Sequence, residues 1–224
     1  YHHIQDLSFP YVQMRSDGLW TTAPNNQNAD VTVTDLIQYS GGSMGGWRLT
    51  QGAPQAIFDM LPEREDNPNH SYSGLTLTMF AGGVMVQSKV EHTLPLIPGH
   101  DYWVFGKIGE FGDANVNMIL DIPGLTHLES YWNQGETAEV NQLITYQGSA
   151  DGVSAVVQTN NAGPYVTGFQ GQLYHLQVVD VTESFTSKGI NLPTADWMRN
   201  NIGVFNSSKT VQFTSNQSNA DGYL

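Results

Sequence analysis

Apolar and polar residues alternate with a period of two in one short run after another between residues 30 and 181. The runs include Val31-Thr32-Val33-Thr34, Trp47-Arg48-Leu49-Thr50, Ala56-Ile57-Phe58-Asp59-Met60 and Leu75-Thr76-Leu77-Thr78-Met79-Phe80. Residues 84–90, 102–108, 115–122, 140–146, 153–158 and 172–181 add further strand-like runs, the second of them rich in β-formers. Alternation of this kind, broken by Gly, Pro, Asn and Asp, predicts short half-buried strands. Gly82-Gly83 separates two of the runs and predicts a hairpin between 75–80 and 84–90. Pro98-Gly99 predicts a turn into the aromatic run Tyr102-Trp103-Val104-Phe105. One short helix is predicted at 194–201, with Thr194 as its N-cap after Pro193. Residues 62–72, with charges, two prolines and two asparagines, read as a loop. Many evenly spaced strands and almost no helical periodicity predict an all-β sandwich or barrel.

The strand series leaves both ends over. Residues 1–30 read as an N-terminal extension, 31–183 as the sandwich, and 184–224 as a C-terminal extension with one strand-like piece, Thr210-Val211-Gln212-Phe213. The ends carry Phe9, Tyr11 and Trp20 on one side and Phe185, Trp197, Met198, Phe205 and Phe213 on the other. Apolar surface of that size needs a cover. It packs either on the same sandwich or on a neighbouring subunit, and Ile4–Met14 suits a strand donated to a neighbour.

Composition narrows the function classes. The 224 residues hold 21 acidic and 8 basic side chains, a formal net charge of −13. Such a chain repels phosphate, which argues against nucleic acid and anionic membrane surfaces as partners. There is no cysteine, so disulfides and thiolate chemistry are excluded. No apolar run approaches the roughly 20 residues of a membrane-spanning helix. The chain opens at Tyr1, which reads as a processed product or a fragment.

Candidate chemistry is sparse. Gly41-Gly42-Ser43-Met44-Gly45 matches a nucleophile-elbow pattern, but Gly46 through Thr50 are strand-like where the elbow requires a helix. Glu63, Glu65 and Asp66 share one loop, and nothing in the sequence positions them as acid and base. The histidines lack metalloprotease spacing. These readings predict no catalytic residues and no enzyme activity. Calcium is the one cofactor considered, with Asp180 and Glu183 as oxygen ligands near a strand end; the plainer reading is a pair of surface acids. Trp103 and Phe105 share one face of a strand, while Tyr102 and Val104 share the other, so one set must enter the core. The other set could offer rings to a sugar. Tyr131 and Trp132, in a polar stretch, read as a loop tip or sheet edge suited to binding.

The middle of the chain resembles jelly-roll carbohydrate-binding modules. The residues that carry the likeness are Ser71-Tyr72-Ser73-Gly74-Leu75-Thr76-Leu77, Val86-Gln87-Ser88-Lys89-Val90, the turn and strand from Leu96 to Phe105, and Gln172 through Val181. The same jelly roll recurs in phage tail-fibre and other virion proteins. The resemblance implies a jelly-roll β-sandwich. It implies that Trp103, Phe105, Lys107 and the strand Asn115–Met118 lie near a sheet face or groove, and that a structural calcium would involve Asp180. Two functions are expected from these readings. The first is a non-enzymatic virion structural protein (a head decoration, fibre or appendage subunit) whose partners are copies of itself or other virion proteins. The alternative is an extracellular glycan-binding module, or a subunit of an extracellular filament.

Overall fold

The computed structural model describes residues 11–14, 20–23, 28–37, 46–51, 57–60, 75–79, 87–111, 116–131, 137–161, 169–205 and 207–214. The expectations for Ile4–Pro10, the glycine-rich 41–45, the acidic loop 62–72 and Trp132 fall outside them.

In chain order the strands are β1 (Tyr11–Met14), β2 (Trp20–Ala23), β3 (Asn28–Thr34), β4 (Trp47–Gln51), β5 (Ile57–Met60), β6 (Leu75–Met79) and β7 (Gln87–Leu94). They continue as β8 (Asp101–Phe111), β9 (Val116–Ile122), β10 (Thr126–Tyr131), β11 (Thr137–Thr145), β12 (Val153–Asn161), β13 (Phe169–Asp180) and β14 (Ser208–Thr214). Two short α-helices, α1 (Val181–Ser184) and α2 (Ala195–Asn201), with a 3-10 turn at Thr186–Lys188 between them, lie between β13 and β14.

Two five-stranded antiparallel sheets form the body. Sheet I has the order β10-β9-β12-β7-β4, and sheet II has the order β11-β8-β13-β6-β5. From β7 to β9 and again from β11 to β13, each successive strand enters the opposite sheet. This crossing makes the fold a jelly-roll β-sandwich. It also corrects the hairpin expected across Gly82-Gly83: β6 pairs with β5 and β13, whereas β7 pairs with β4 and β12. β6 and β7 therefore lie in different sheets, and spacing alone did not separate a crossing from a hairpin.

The predicted turn before β8 is present. His100 N–H donates to Ile97 O at 3.2 Å, and Gly99 has φ of 83°. That left-handed position costs glycine nothing, and Pro98 presets the residue before it. Period-two alternation then sorts the side chains of β8. Tyr102, Val104 and Ile108 enter the core between the sheets, with Val90, Leu94, Met118, Leu120 and Val157 from sheet I facing them.

A second core lies on the other side of sheet II. Trp103 of β8 and Val179 of β13 pack there against Val31, Val33, Phe185, Trp197, Met198, Ile202 and Phe213. β3 enters neither sheet; it pairs along its whole length with β14, from Asn28↔Thr214 to Thr34↔Ser208. This ribbon, with α1 and α2, covers one end of the outer face of sheet II. Thr194 caps α2 as predicted, accepting from Trp197 N–H at 2.9 Å, and Trp197 and Met198 are its buried residues. The apolar C-terminal residues thus pack on their own sandwich. Each large side chain removed from water there contributes roughly 1.5–3 kcal/mol. At the other end, Tyr11–Met14 pairs with Trp20–Ala23. That part of the segment expected as a donated strand is already paired within the chain.

Asp35 joins the cover to the body. Its Oδ1 accepts from Ile37 N–H and Val178 N–H, both at 3.0 Å, and Asp35 forms an isolated bridge to Val179. The side chain is buried. Burial raises its carboxyl from 3.8 to about 8, against the opposing effect of the two N–H donors.

Candidate functional site

The outer face of sheet II can be followed row by row across β11, β8 and β13. The register pairs Leu143 with Trp103, Asn141 with Phe105, Glu139 with Lys107, and Thr137 with Gly109. On the other side Trp103 meets Val179, Phe105 meets Gln177, and Lys107 meets His175. The first row belongs to the second core. The Phe105 row is the border of the cover. The Lys107 and Gly109 rows lie beyond it.

The border row is tied down by hydrogen bonds. Trp103 Nε1–H donates to Asn141 Oδ1 at 2.9 Å, and Asn141 Nδ2 donates to Asp196 Oδ1 of α2 at 3.0 Å. Arg199 Nη2 holds the same Asp196 oxygen at 3.1 Å. Phe105 stacks on Trp103 with ring centroids 5.4 Å apart and planes 15° from parallel. On its other side it meets His175 at 4.6 Å.

Beyond the border the face is open. Glu139 and Thr137 are exposed, and Phe105, Lys107, Tyr174 and His175 are half-buried. Lys107 Nζ donates to Glu139 Oε1 at 2.7 Å and sits 5.7 Å from the centre of the Tyr174 ring. The hydrogen bond from Lys107 holds the Glu139 carboxyl below its ordinary range, with the charge of Lys107 and weaker effects of His175 and Arg199 acting in the same direction. Burial pushes the Tyr174 hydroxyl up.

Tyr174 owes its place to an irregularity. The pairing of β13 with β8 shifts between Leu173 and His175, so Tyr174 is an extra residue in the ladder. A bulge of this kind re-aims side chains, and here both Tyr174 and His175 reach the outer face while Leu173 and Leu176 enter the core. Gly109 makes room for the tyrosine. A Cβ there would come within 2.8 Å of Tyr174 Cε2.

The expected binding residues are thereby divided. Phe105 and Lys107 lie together on the open face. Trp103 does not, because it is fully buried under the C-terminal cover. The strand expected beside them is also elsewhere: β9 lies in sheet I, with Met118 in the core. Tyr131 ends β10, the edge strand of sheet I. It lies in the other sheet from Phe105, and Trp132 lies outside the described residues. Glu139, Tyr174 and His175 were not expected. The strand run 140–146 pointed to β11, but only the register brings Glu139 opposite Lys107.

The calcium candidates have structural work. Asp180 Oδ1 accepts from Glu183 N–H at 2.9 Å, capping α1. Asp180 Oδ2 meets His100 Nδ1 at 2.7 Å, linking the Pro98-Gly99 turn to the end of β13. The Glu183 side chain is exposed. Among the described residues no three His, Asp or Glu side chains gather as a metal ion would require.

No family model matches the chain, and no curated protein matches it in sequence. Solved structures similar to it include a family 61 carbohydrate-binding module in complex with β-1,4-galactotriose, with TM-score 0.42 and 11% identity over 64% of this chain and 97% of that one. A family 11 carbohydrate-binding module from Clostridium thermocellum, in complex with a β-1,3-1,4-mixed-linked tetrasaccharide, has TM-score 0.34 and 11% identity over 64% of this chain and 95% of that one. The enzymatically active domain of tailspike protein 4 of bacteriophage CBA120 has TM-score 0.41 and 10% identity over 65% of this chain, which spans 21% of the tailspike chain. Carbohydrate-binding modules and a phage tailspike domain are thus among the solved structures to which this chain is similar.

Proposed function

We propose that this protein is a non-catalytic glycan-binding module and that it binds sugar on the open outer face of sheet II. The observation that carries this reading is the grouping of Phe105, Tyr174, His175 and the Lys107–Glu139 pair on one rigid surface. Phe105, held between Trp103 and His175, offers an apolar ring edge to the C–H groups of a sugar, and the half-buried Tyr174 ring adds apolar area beside it. Lys107 supplies donors and Glu139 acceptors, and hydrogen bonds from ionised groups to hydroxyls are the stronger kind. The pair is neutral overall, which suits an uncharged ligand. The groups sit on adjacent strands, so the surface is formed before the ligand arrives.

A virion or appendage subunit is the other expectation. It rests on the polar, cysteine-free, acidic composition, the lack of a catalytic constellation and the extensions flanking the jelly roll, and at the C-terminal end the apolar surface of the extension packs within the chain. The glycan-binding reading therefore has the better support. The test is a broad glycan array probed with the whole protein, followed by titration of the best ligand. Saturable binding that is weakened in Phe105→Ala and in Lys107→Ala is the expected result. Binding to no glycan, or to all of them equally in both variants, would overturn the proposal.

A further inference from the structure

The open rows of sheet II end at a wall on the Trp103 side. Asn141 on β11 is bonded to Asp196 at the start of α2. On the opposite flank of Phe105, Gln177 Nε2 donates to Phe205 O at 3.2 Å and to Gly203 O at 3.5 Å. The two side chains that flank Phe105 in its row are thus both fastened to the C-terminal cover. The aromatic surface itself continues past Phe105 as Trp103, but that ring has no exposed area.

The wall is also fixed. Phe185, Trp197 and Phe213 are each at most 1% exposed, and Trp197 and Phe185 meet Phe213 edge-on at 5.3 and 6.0 Å. Such close packing holds the cover against sheet II.

We infer that a bound glycan lies along the strands of sheet II and that α2 and the segment 203–205 close one end of that path, so that the site receives the terminal residue of a glycan chain and not an internal stretch. The inference rests on the glycan-binding reading above. A chain bound through its middle must leave the surface in both directions along its length. Running along the strands, it would have to pass over the Trp103 row, which α2 and the β3–β14 ribbon occupy. A terminal residue can stop on Phe105, with the rest of the chain running out over Lys107 toward Thr137.

The test uses the polysaccharide that binds the whole protein best on the array, cut into fractions of short and long mean length. Calorimetric titration should give about one protein bound per chain in both fractions. Capping the terminal residue should weaken binding about tenfold, the loss of roughly one residue's contacts. A number of proteins per chain that grows with chain length would overturn the end wall and leave glycan binding standing. Failure of every glycan to bind would overturn both.

Discussion

Trp103 and Phe105 point to the same side of β8, yet one holds the fold and the other is placed to bind. The difference is made by residues far along the chain that cover the first ring and stop short of the second. Trp103→Ala should therefore cost about 3–5 kcal/mol of stability, the usual loss for a buried tryptophan, as measured by urea unfolding. Phe105→Ala should leave the protein folded and weaken sugar binding by about 1–3 kcal/mol, the scale of a central aromatic contact. A Trp103→Ala protein as stable as the parent would show that the second core is not formed as described. Asp35 makes a different prediction. Its carboxyl stands at about 8 in the folded state against 3.8 as the ordinary value, so the folded state holds a proton that the unfolded state releases. Its effect favours folding most below pH 4, declines as the pH rises from about 4 to 8, and is flat above that. Asp35→Asn keeps the Oδ1 acceptor and cannot ionise. The stability of the parent minus that of Asp35→Asn, followed by unfolding at each pH, should fall across this window. A flat difference would contradict the buried, protonated Asp35.

At the scale of elements, the strands were largely readable because alternation is a local property. Runs such as 102–108 and 153–158, the Pro98-Gly99 turn and the Thr194 cap all appear where local chemistry puts them. Pairing was not readable in the same way. Gly82-Gly83 has the composition of a hairpin turn, but β6 and β7 lie in different sheets. The candidate face was half legible: Phe105 and Lys107 follow from alternation along one strand. Glu139 depends on the register of β11, and Tyr174 on a bulge that alternation cannot anticipate. Trp103 was misplaced because nothing local marks a strand face for covering by residues 181–213. The cover supports an element-scale prediction. A chain ending at residue 184 would uncover Trp103, Leu143 and Val179, and should aggregate or lose cooperative unfolding. A soluble, cooperatively folding product of unchanged stability would show that the cover is dispensable.

The whole molecule sets the electrostatic terms. With a formal net charge of −13, it repels polyanions at a distance. The Lys107–Glu139 pair is locally neutral. Binding of an uncharged glycan should therefore change little between low and high salt, while acidic polysaccharides should bind poorly at low salt. Glycan-array binding at two salt concentrations checks this. The decisive question is which face of the sandwich holds the ligand. Glu91, paired with Lys89 at 2.9 Å and with Arg48 at 3.6 Å on the outer side of sheet I, is the matching control for Phe105 on sheet II. The measurement is a calorimetric titration of the best array glycan against the parent, Phe105→Ala and Glu91→Ala. Loss of about tenfold or more in affinity for Phe105→Ala, with Glu91→Ala equal to the parent, is the predicted result. Unchanged affinity in Phe105→Ala, or loss confined to Glu91→Ala, would contradict it.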